Sequence, residues 1–379
     1  MKIALLSTYP PTQCGLATFT LSLGEALGRL PGTSVSVVRA VERRPHDSPR
    51  IVVENLVAGD ALSQRRAADA LSSADVAVVQ HEYGIYGGAD GREVLTVLRQ
   101  VRVPIIVVLH TVPRTPSVGQ RQVLEHLCRR ADAVVVMSRA ARDRLVATYV
   151  LNARKVHVIP HGVAVEITRT RVPPVPGRIL TWGLIGPGKG IEWGIRALAS
   201  LRDIAPQPAY LVAGQTHPKV LESHGEAYRD SLTRLAADLR VDHLVTFDAS
   251  YRATSALPDL IASASAVLLP YDSDQQVTSG VLIEAVAAGR PVVATSFPHA
   301  TELLATGAGV TVPHRDPDAI ADALRSILTR GDVAASMSAA ASSEAARLTW
   351  PVVAQAFRSL AERLLIAAPS PGDERLASG

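Results

Sequence analysis

Apolar residues along this chain come in short unbroken blocks, separated by stretches in which they recur every three or four positions. Residues 2–7, 34–40, 51–56, 74–80, 104–110, 133–138 and 155–160 are rich in Val and Ile and lack the polar alternation of a half-exposed strand. Each is expected as a buried strand of a parallel sheet. Between them, residues 18–29, 92–99, 118–130 and 139–146 have helical spacing, which gives repeated strand–helix units and a doubly wound α/β domain. Residues 169–178, with prolines at 173, 174 and 176, then form a stiff extended link.

The same pattern restarts beyond the link. Strands are expected at 179–184, 209–214, 244–247 and 266–270, and helices at 191–202, 226–239 and 255–264. Residues 276–297 read as loop, helix, glycine stop and buried strand. Thr278 and Ser279 are good N-cap residues, Gly280 lets backbone approach a ligand, Gly289 ends the helix, and the apolar run from Pro291 enters a sheet. The expected organisation is an N-terminal Rossmann-like domain over 1–170, a second over 171–350, a final amphipathic helix over 351–367 and a disordered tail over 368–379.

Composition narrows the function. At 379 residues and 47% hydrophobic, the chain has no run near the roughly 20 apolar residues that cross a bilayer. Residues 1–6 read as a buried strand, not as a secretory signal. Two cysteines, Cys14 and Cys128, make neither a disulfide framework nor a metal cluster, which fits a reducing cytoplasm. A net charge of +4 is too small to imply nucleic-acid binding. Its distribution is uneven, with 21 Lys and Arg against 14 Asp and Glu in residues 1–170 and 18 against 21 thereafter. The basic half fits solvated faces, or peripheral contact with an anionic acceptor or the inner face of a membrane.

Open α/β sheets bind ligands beyond the carboxyl ends of their strands, and polar residues and glycines collect there in both halves. The helix starting at Thr278-Ser279-Gly280-Val281 offers free N–H groups and a positive dipole end to phosphate or sugar oxygens, and Glu284 lies one turn further on. Gly183 to Gly190, with Gly188 and Lys189, is a glycine-rich turn whose lysine suits a diphosphate, although it lacks the Ser or Thr and the spacing of a nucleotide-hydrolase P-loop. His110 closes an apolar strand, where a lone histidine can be a satisfied structural residue; on the ligand side of the sheet it reads as polar recognition or charge handling near the reacting carbon. His81 and Glu82 close another, where acceptor binding and loop structure fit equally. Gly15 is a close-approach glycine or a turn, and its neighbour Cys14 reads as a small packed thiol.

Together these residues resemble a retaining glycosyltransferase of GT-B fold, of the family 4 (group 1) type, over nearly the whole chain. The matching segments are Pro10-Pro11 through Gly15, Leu109-His110-Thr111, Val158-Ile159-Pro160-His161-Gly162-Val163, Lys189-Gly190 and Trp350-Pro351. The resemblance implies two Rossmann-like domains facing across a cleft, with a nucleoside-diphosphate sugar bound mainly on the second. It further implies transfer of a hexosyl unit with retention, no essential metal and no cofactor. In that reading His110, Lys189 and Gln276 serve catalysis. Gly15, Gly188, Lys189, Thr278, Ser279, Gly280, Val281 and Glu284 bind the donor, while Cys14, His81 and Glu82 stand towards a carbohydrate, lipid-linked or small-molecule acceptor. The chain departs from the family at two points. The first glutamate of the family's paired-glutamate signature is Gln276, which can hydrogen-bond but carries no charge, and the family's arginine three residues before the lysine is Gly186. A GT-B epimerase or phosphorylase, and an inactive GT-B binding subunit, remain alternatives.

Overall fold

A computed structural model describes residues 1–169, 172–250 and 256–367. They form two units: Met1–Gly162 with the final helix Trp350–Ala367, and Val163–Thr349. The boundary falls before residue 170 because Val163 and Ile167 are buried in the second unit's core. The tail after 367, the start of the helix expected from 255, and part of the link at 169–178 lie outside the described residues.

The first unit runs β1 (Lys2–Ser7), α1 (Gly15–Gly28), β2 (Ser34–Val41), β3 (Val52–Val57), α2 (Ala61–Ser72), β4 (Val76–His81), α3 (Glu93–Leu98), β5 (Ile105–Leu109), α4 (Val118–Arg130), β6 (Ala133–Val136), α5 (Arg139–Thr148) and β7 (Val156–Val158). The strands make one sheet in the order β3-β2-β1-β4-β5-β6-β7, all pairs parallel. Strands β4, β5 and β6 are buried at every position, as their unbroken apolar runs require. On one face Ile3, Leu5, Val76, Val78, Ile106 and Val108 enter a core shared with Phe19 and Leu23 of α1 and with Trp350, Val353 and Phe357 of the final helix.

Helix α4 matches its expected span because its signals are local. Ser117 and Gln120 form a reciprocal capping box, and Arg129 and Arg130 sit against the negative end of the dipole. Helix α2 has no counterpart among the expected elements. Its residues are mostly small or polar, and its start is fixed by Asp60, whose carboxylate accepts from the amides of Leu62 and Ser63.

The second unit runs α6 (Val165–Arg169), β8 (Arg178–Trp182), α7 (Ile191–Leu198), β9 (Ala209–Ala213), α8 (Pro218–His224), α9 (Ala227–Asp238), β10 (Val245–Asp248), α10 (Leu257–Ala262), β11 (Ala266–Leu269), α11 (Gly280–Ala287), β12 (Val292–Thr295), α12 (Pro298–Leu304), β13 (Gly309–Val312), α13 (Pro317–Thr329) and α14 (Gly331–Ala345). Its parallel sheet has the order β10-β9-β8-β11-β12-β13. Chain order reverses beside β8 and β11, a switch point that opens room beyond the strand ends. The expected strands at 179–184, 209–214, 244–247 and 266–270 and the helix–strand pair at 276–297 appear within a few residues of their predicted limits.

Candidate functional site

In the second unit, the ends of β8 and β11 and the start of α11 are tied by four contacts. Trp182, the last residue of β8, donates its indole N–H to Oε2 of Glu284 in α11 at 3.0 Å. A Cβ on the next residue, Gly183, would stand 3.7 Å from Cγ2 of Val281, so the glycine turn lies against the first turn of α11. Further along, the amide of Asp272 donates to the carbonyl of Gly188 at 3.0 Å. Gly190 has φ +64°, and a Cβ there would lie 1.8 Å from the Pro270 carbonyl oxygen, so the turn closes on the end of β11 only with glycine.

Lys189 stands in this frame with its Nζ 4.5 Å from the centre of the Tyr271 ring. The ring face attracts the ammonium without using its N–H donors, which stay available to an anion. Tyr271 is itself stacked on Phe297, with centroids 5.3 Å apart. Asp272 is engaged elsewhere, accepting from Trp193 Nε1 at 2.8 Å and from Arg315 Nε at 3.2 Å.

At the head of α11, Ser279 is the N-cap and its Oγ accepts from the amide of Leu282 at 3.2 Å. The Ser279 amide donates to Nδ1 of His299 at 2.9 Å. The first helical amides, of Gly280 and Val281, have no helical carbonyl behind them and face the start of the dipole. Gln276 donates from Nε2 to the Thr278 carbonyl at 3.0 Å, which orients its amide plane. The Thr278 hydroxyl is buried without a hydrogen bond among the described residues. Glu284 is half-buried, and desolvation pushes its carboxyl up to about 7, opposed by the hydrogen bond from Trp182.

In the first unit, Cys14 caps α1, its Sγ accepting from the Ala17 amide at 3.4 Å and lying 3.2 Å from the Thr8 hydroxyl. The space beside Gly15 is open, with nothing within 4 Å of an added Cβ. Glu82 is occupied: Oε2 accepts from the Thr111 hydroxyl at 2.5 Å and Oε1 from the Tyr83 amide at 2.9 Å. His81 is fully buried, and neither ring nitrogen has a hydrogen bond among the described residues. His110 is half-buried, its Nε2 2.6 Å from Oε1 of Gln80 and its ring edge-on to Phe19 at 4.9 Å. Phe19 also meets His161 at 5.0 Å and Trp350 at 5.0 Å, both edge-on. Burial holds all three histidines neutral: His81 and His110 are lowered to about 3, His110 with added repulsion from His161 and His81, and His161 to about 4.

The structure thus brings Gly188, Lys189, Gly280, Val281 and Glu284 to one end of the second sheet and sets Gln276, Thr278 and Ser279 in the loop that leads into α11. In the first unit Cys14, Gly15, His81, Glu82 and His110 all lie at or just beyond the carboxyl ends of the strands. Sequence reasoning assigned no role to Trp182, His299, Gln80 or Phe19. Trp182 offered one signal, a large polar-tipped aromatic ending an apolar strand just before a glycine. Arg229 donates to the Gly214 carbonyl at 2.7 Å and pairs with Glu226 at 3.3 Å, anchoring the turn after β9.

Residues 14–167 match the family model described as Glycosyltransferase Family 4, and residues 176–330 match the one described as Glycosyl transferases group 1. The chain belongs to this glycosyltransferase family. Among curated relatives of the family, a D-inositol 3-phosphate glycosyltransferase from Stackebrandtia nassauensis is 30% identical over 254 residues, 63% of this chain and 54% of that protein. The alignment therefore spans little more than half of that relative's length. The protein of the same name from Corynebacterium efficiens is 25% identical over 430 residues, covering 100% of this chain and 99% of its own. Among solved structures, Anabaena Alr3699/HepE in complex with UDP superposes with a TM-score of 0.74 at 18% identity, covering 96% of this chain and 100% of that one. That likeness carries the fold: two domains built on parallel sheets, as in GT-B proteins. No helix among the described residues is long and apolar enough to cross a membrane.

Proposed function

We propose that this family member transfers a hexosyl unit from a nucleoside-diphosphate sugar to an acceptor hydroxyl, with retention of anomeric configuration and without a metal or cofactor. The observation that carries the reading is the frame in the second unit, in which Trp182 holds Glu284 at 3.0 Å while Lys189 and the free amides of α11 surround the same strand ends. Alr3699/HepE is solved in complex with UDP and also with UDP-glucose, and the name of the Stackebrandtia relative gives it a phosphorylated polyol substrate; these support a sugar-nucleotide donor and a hydroxyl-bearing acceptor here.

In this mechanism Lys189 and the amides of Gly280 and Val281 stabilise negative charge as it develops on the departing diphosphate. Glu284 accepts hydroxyls of the ribose, and Gln276 and His110 orient the donor sugar. The bond from the anomeric carbon to the diphosphate oxygen breaks as the acceptor oxygen joins that carbon on the same face, and the acceptor's proton passes to the leaving diphosphate. No enzyme nucleophile is then needed. Cys14, Gly15, His81 and Glu82 mark the side from which the acceptor is met, and the open space at Gly15 gives it room. The basic first unit suits peripheral contact with an anionic cytoplasmic membrane face.

The test is incubation of the purified chain with UDP, GDP and ADP sugars, reading binding and slow release of the nucleoside diphosphate. One donor class is expected to bind and turn over, and Lys189→Ala and Glu284→Ala are each expected to weaken it. Unchanged binding in both variants overturns the site, and absence of turnover with every donor leaves the chain a binding subunit.

A further inference from the structure

Gln80 is a primary amide buried to 0% exposure in a row of apolar residues. It is the last residue of β4 on the core face, one before the strand's end at His81, because the two-residue period that turns Val76 and Val78 toward Phe19 turns Gln80 the same way. On β5 the period that turns Ile106 and Val108 to that face does so for His110, whose amide extends the ladder by donating to the His81 carbonyl at 3.1 Å. The two side chains meet at 2.6 Å, Oε1 of Gln80 against Nε2 of His110. A carbonyl oxygen only accepts, so the shared proton belongs to Nε2. The lone pair is left on Nδ1, which makes no hydrogen bond among the described residues. Phe19, edge-on at 83°, fixes the plane of the ring.

The other end of the amide gives the second argument. Nε2 of Gln80 is buried without a hydrogen bond among the described residues, so the bond to His110 is the one that this side chain makes. Burying an amide with half its capacity unmet is unfavourable, and an apolar residue of similar size would serve the core better. A glutamine at this place therefore serves its partner and not the fold.

We infer that Gln80 is a positioning residue that holds His110 as the Nε2–H tautomer and presents its Nδ1 lone pair to the substrate, so that His110 accepts a hydrogen bond from a sugar hydroxyl. The assignment rests on the proposed placing of His110 beside the donor sugar. It gives that residue a definite chemistry: it neither donates to an oxyanion nor acts as a general acid, and it selects a substrate group that carries a hydrogen.

Nitrogen-15 NMR of the histidine rings in the full chain tests this without any ligand. The parent is expected to show the ring proton of His110 on Nε2. Gln80→Leu is expected to lose that preference while melting no lower than the parent, and to lower kcat roughly ten-fold, about the worth of one hydrogen bond, with donor affinity little changed. Gln80→Glu keeps an acceptor oxygen at the same place and is expected to restore the Nε2–H form. An Nδ1–H ring in the parent, or Gln80→Leu retaining both tautomer and turnover, overturns the inference. A parent that transfers no sugar from any donor overturns the functional reading alone, and the tautomer still decides the role of Gln80.

Discussion

The ends of the two sheets solve opposite electrostatic problems with the same kind of device, one hydrogen bond from a buried polar neighbour. In the second unit an indole N–H donates to Glu284, supporting a charge that desolvation opposes. In the first unit a carbonyl accepts from His110, and burial keeps the ring neutral. The donor Trp182 favours the ionised form of its partner, whereas Gln80, unable to donate through Oε1, selects a tautomer. The second unit is thus arranged to handle charge, with Lys189 and a helix start beside a carboxylate, and the first to offer neutral, oriented contacts. That division suits a reaction whose charge develops on the diphosphate and not on the sugar hydroxyls.

The largest effect expected from breaking this arrangement is at Lys189. Removing its ammonium in Lys189→Ala takes away the lone lysine of the glycine turn, and steady-state kinetics are expected to show a loss of roughly 100- to 1,000-fold in kcat. Loss of less than about three-fold would place the diphosphate elsewhere.

A second break reads the pH response of the two units. Glu284 has a folded value of about 7 against an ordinary 4.5, so the fold favours its protonated form, and the stability it contributes is full below 4.5 and lost as pH rises through about 7. The three histidines are lowered from 6.5 to about 3, 3 and 4, so what they contribute is full above 6.5 and lost as pH falls toward those values. Hydrogen exchange followed from pH 5 to 8 is expected to show first-unit core amides better protected at the higher pH. The Glu284→Gln variant is expected to gain stability over the parent across the same rise, by an amount on the order of 2 kcal/mol.

A smaller change sharpens the contrast further. Trp182→Phe keeps the aromatic bulk and removes the indole donor, so Glu284 is expected to titrate above its present value. Donor affinity, which depends on the ionised carboxylate accepting hydroxyls, is then expected to rise with pH at a more alkaline midpoint than in the parent. Calorimetric titration at several pH values checks this, and an unmoved midpoint would separate Glu284 from donor binding.

Much of the fold is legible in the residues because its signals are local or periodic. The apolar runs locate every strand of the first unit, and the Ser117–Gln120 box fixes α4 to the residue. Helices α2 and α14 escape notice because small residues dominate them, and packing, not spacing, makes them helical. Helix α13 carries a readable signal in its Asp316 cap, Pro317 and the spacing of Ile320, Leu324 and Ile327, yet is not among the expected elements. The site divides in the same way. Lys189, Glu284 and the head of α11 are visible as glycine turn, helix cap and nearby carboxylate. Their partners are not: Trp182 reaches Glu284 across 102 residues of chain and Gln80 reaches His110 across 30, and no local pattern records either pair. Gln276 was visible as a departure, and its amide is held by the Thr278 carbonyl, an acceptor that a carboxylate at this position would repel.

The central claim is that this chain moves a sugar with retention, using the second unit to stabilise the departing diphosphate. Its most direct test is proton NMR of the product formed by the purified chain from the sugar nucleotide it binds, followed as transfer proceeds and compared with the Lys189→Ala variant. The account predicts a new glycosidic signal with the donor's anomeric configuration, appearing in step with nucleoside diphosphate and nearly abolished in the variant. A product of inverted configuration, or equal rates for parent and variant, would contradict it.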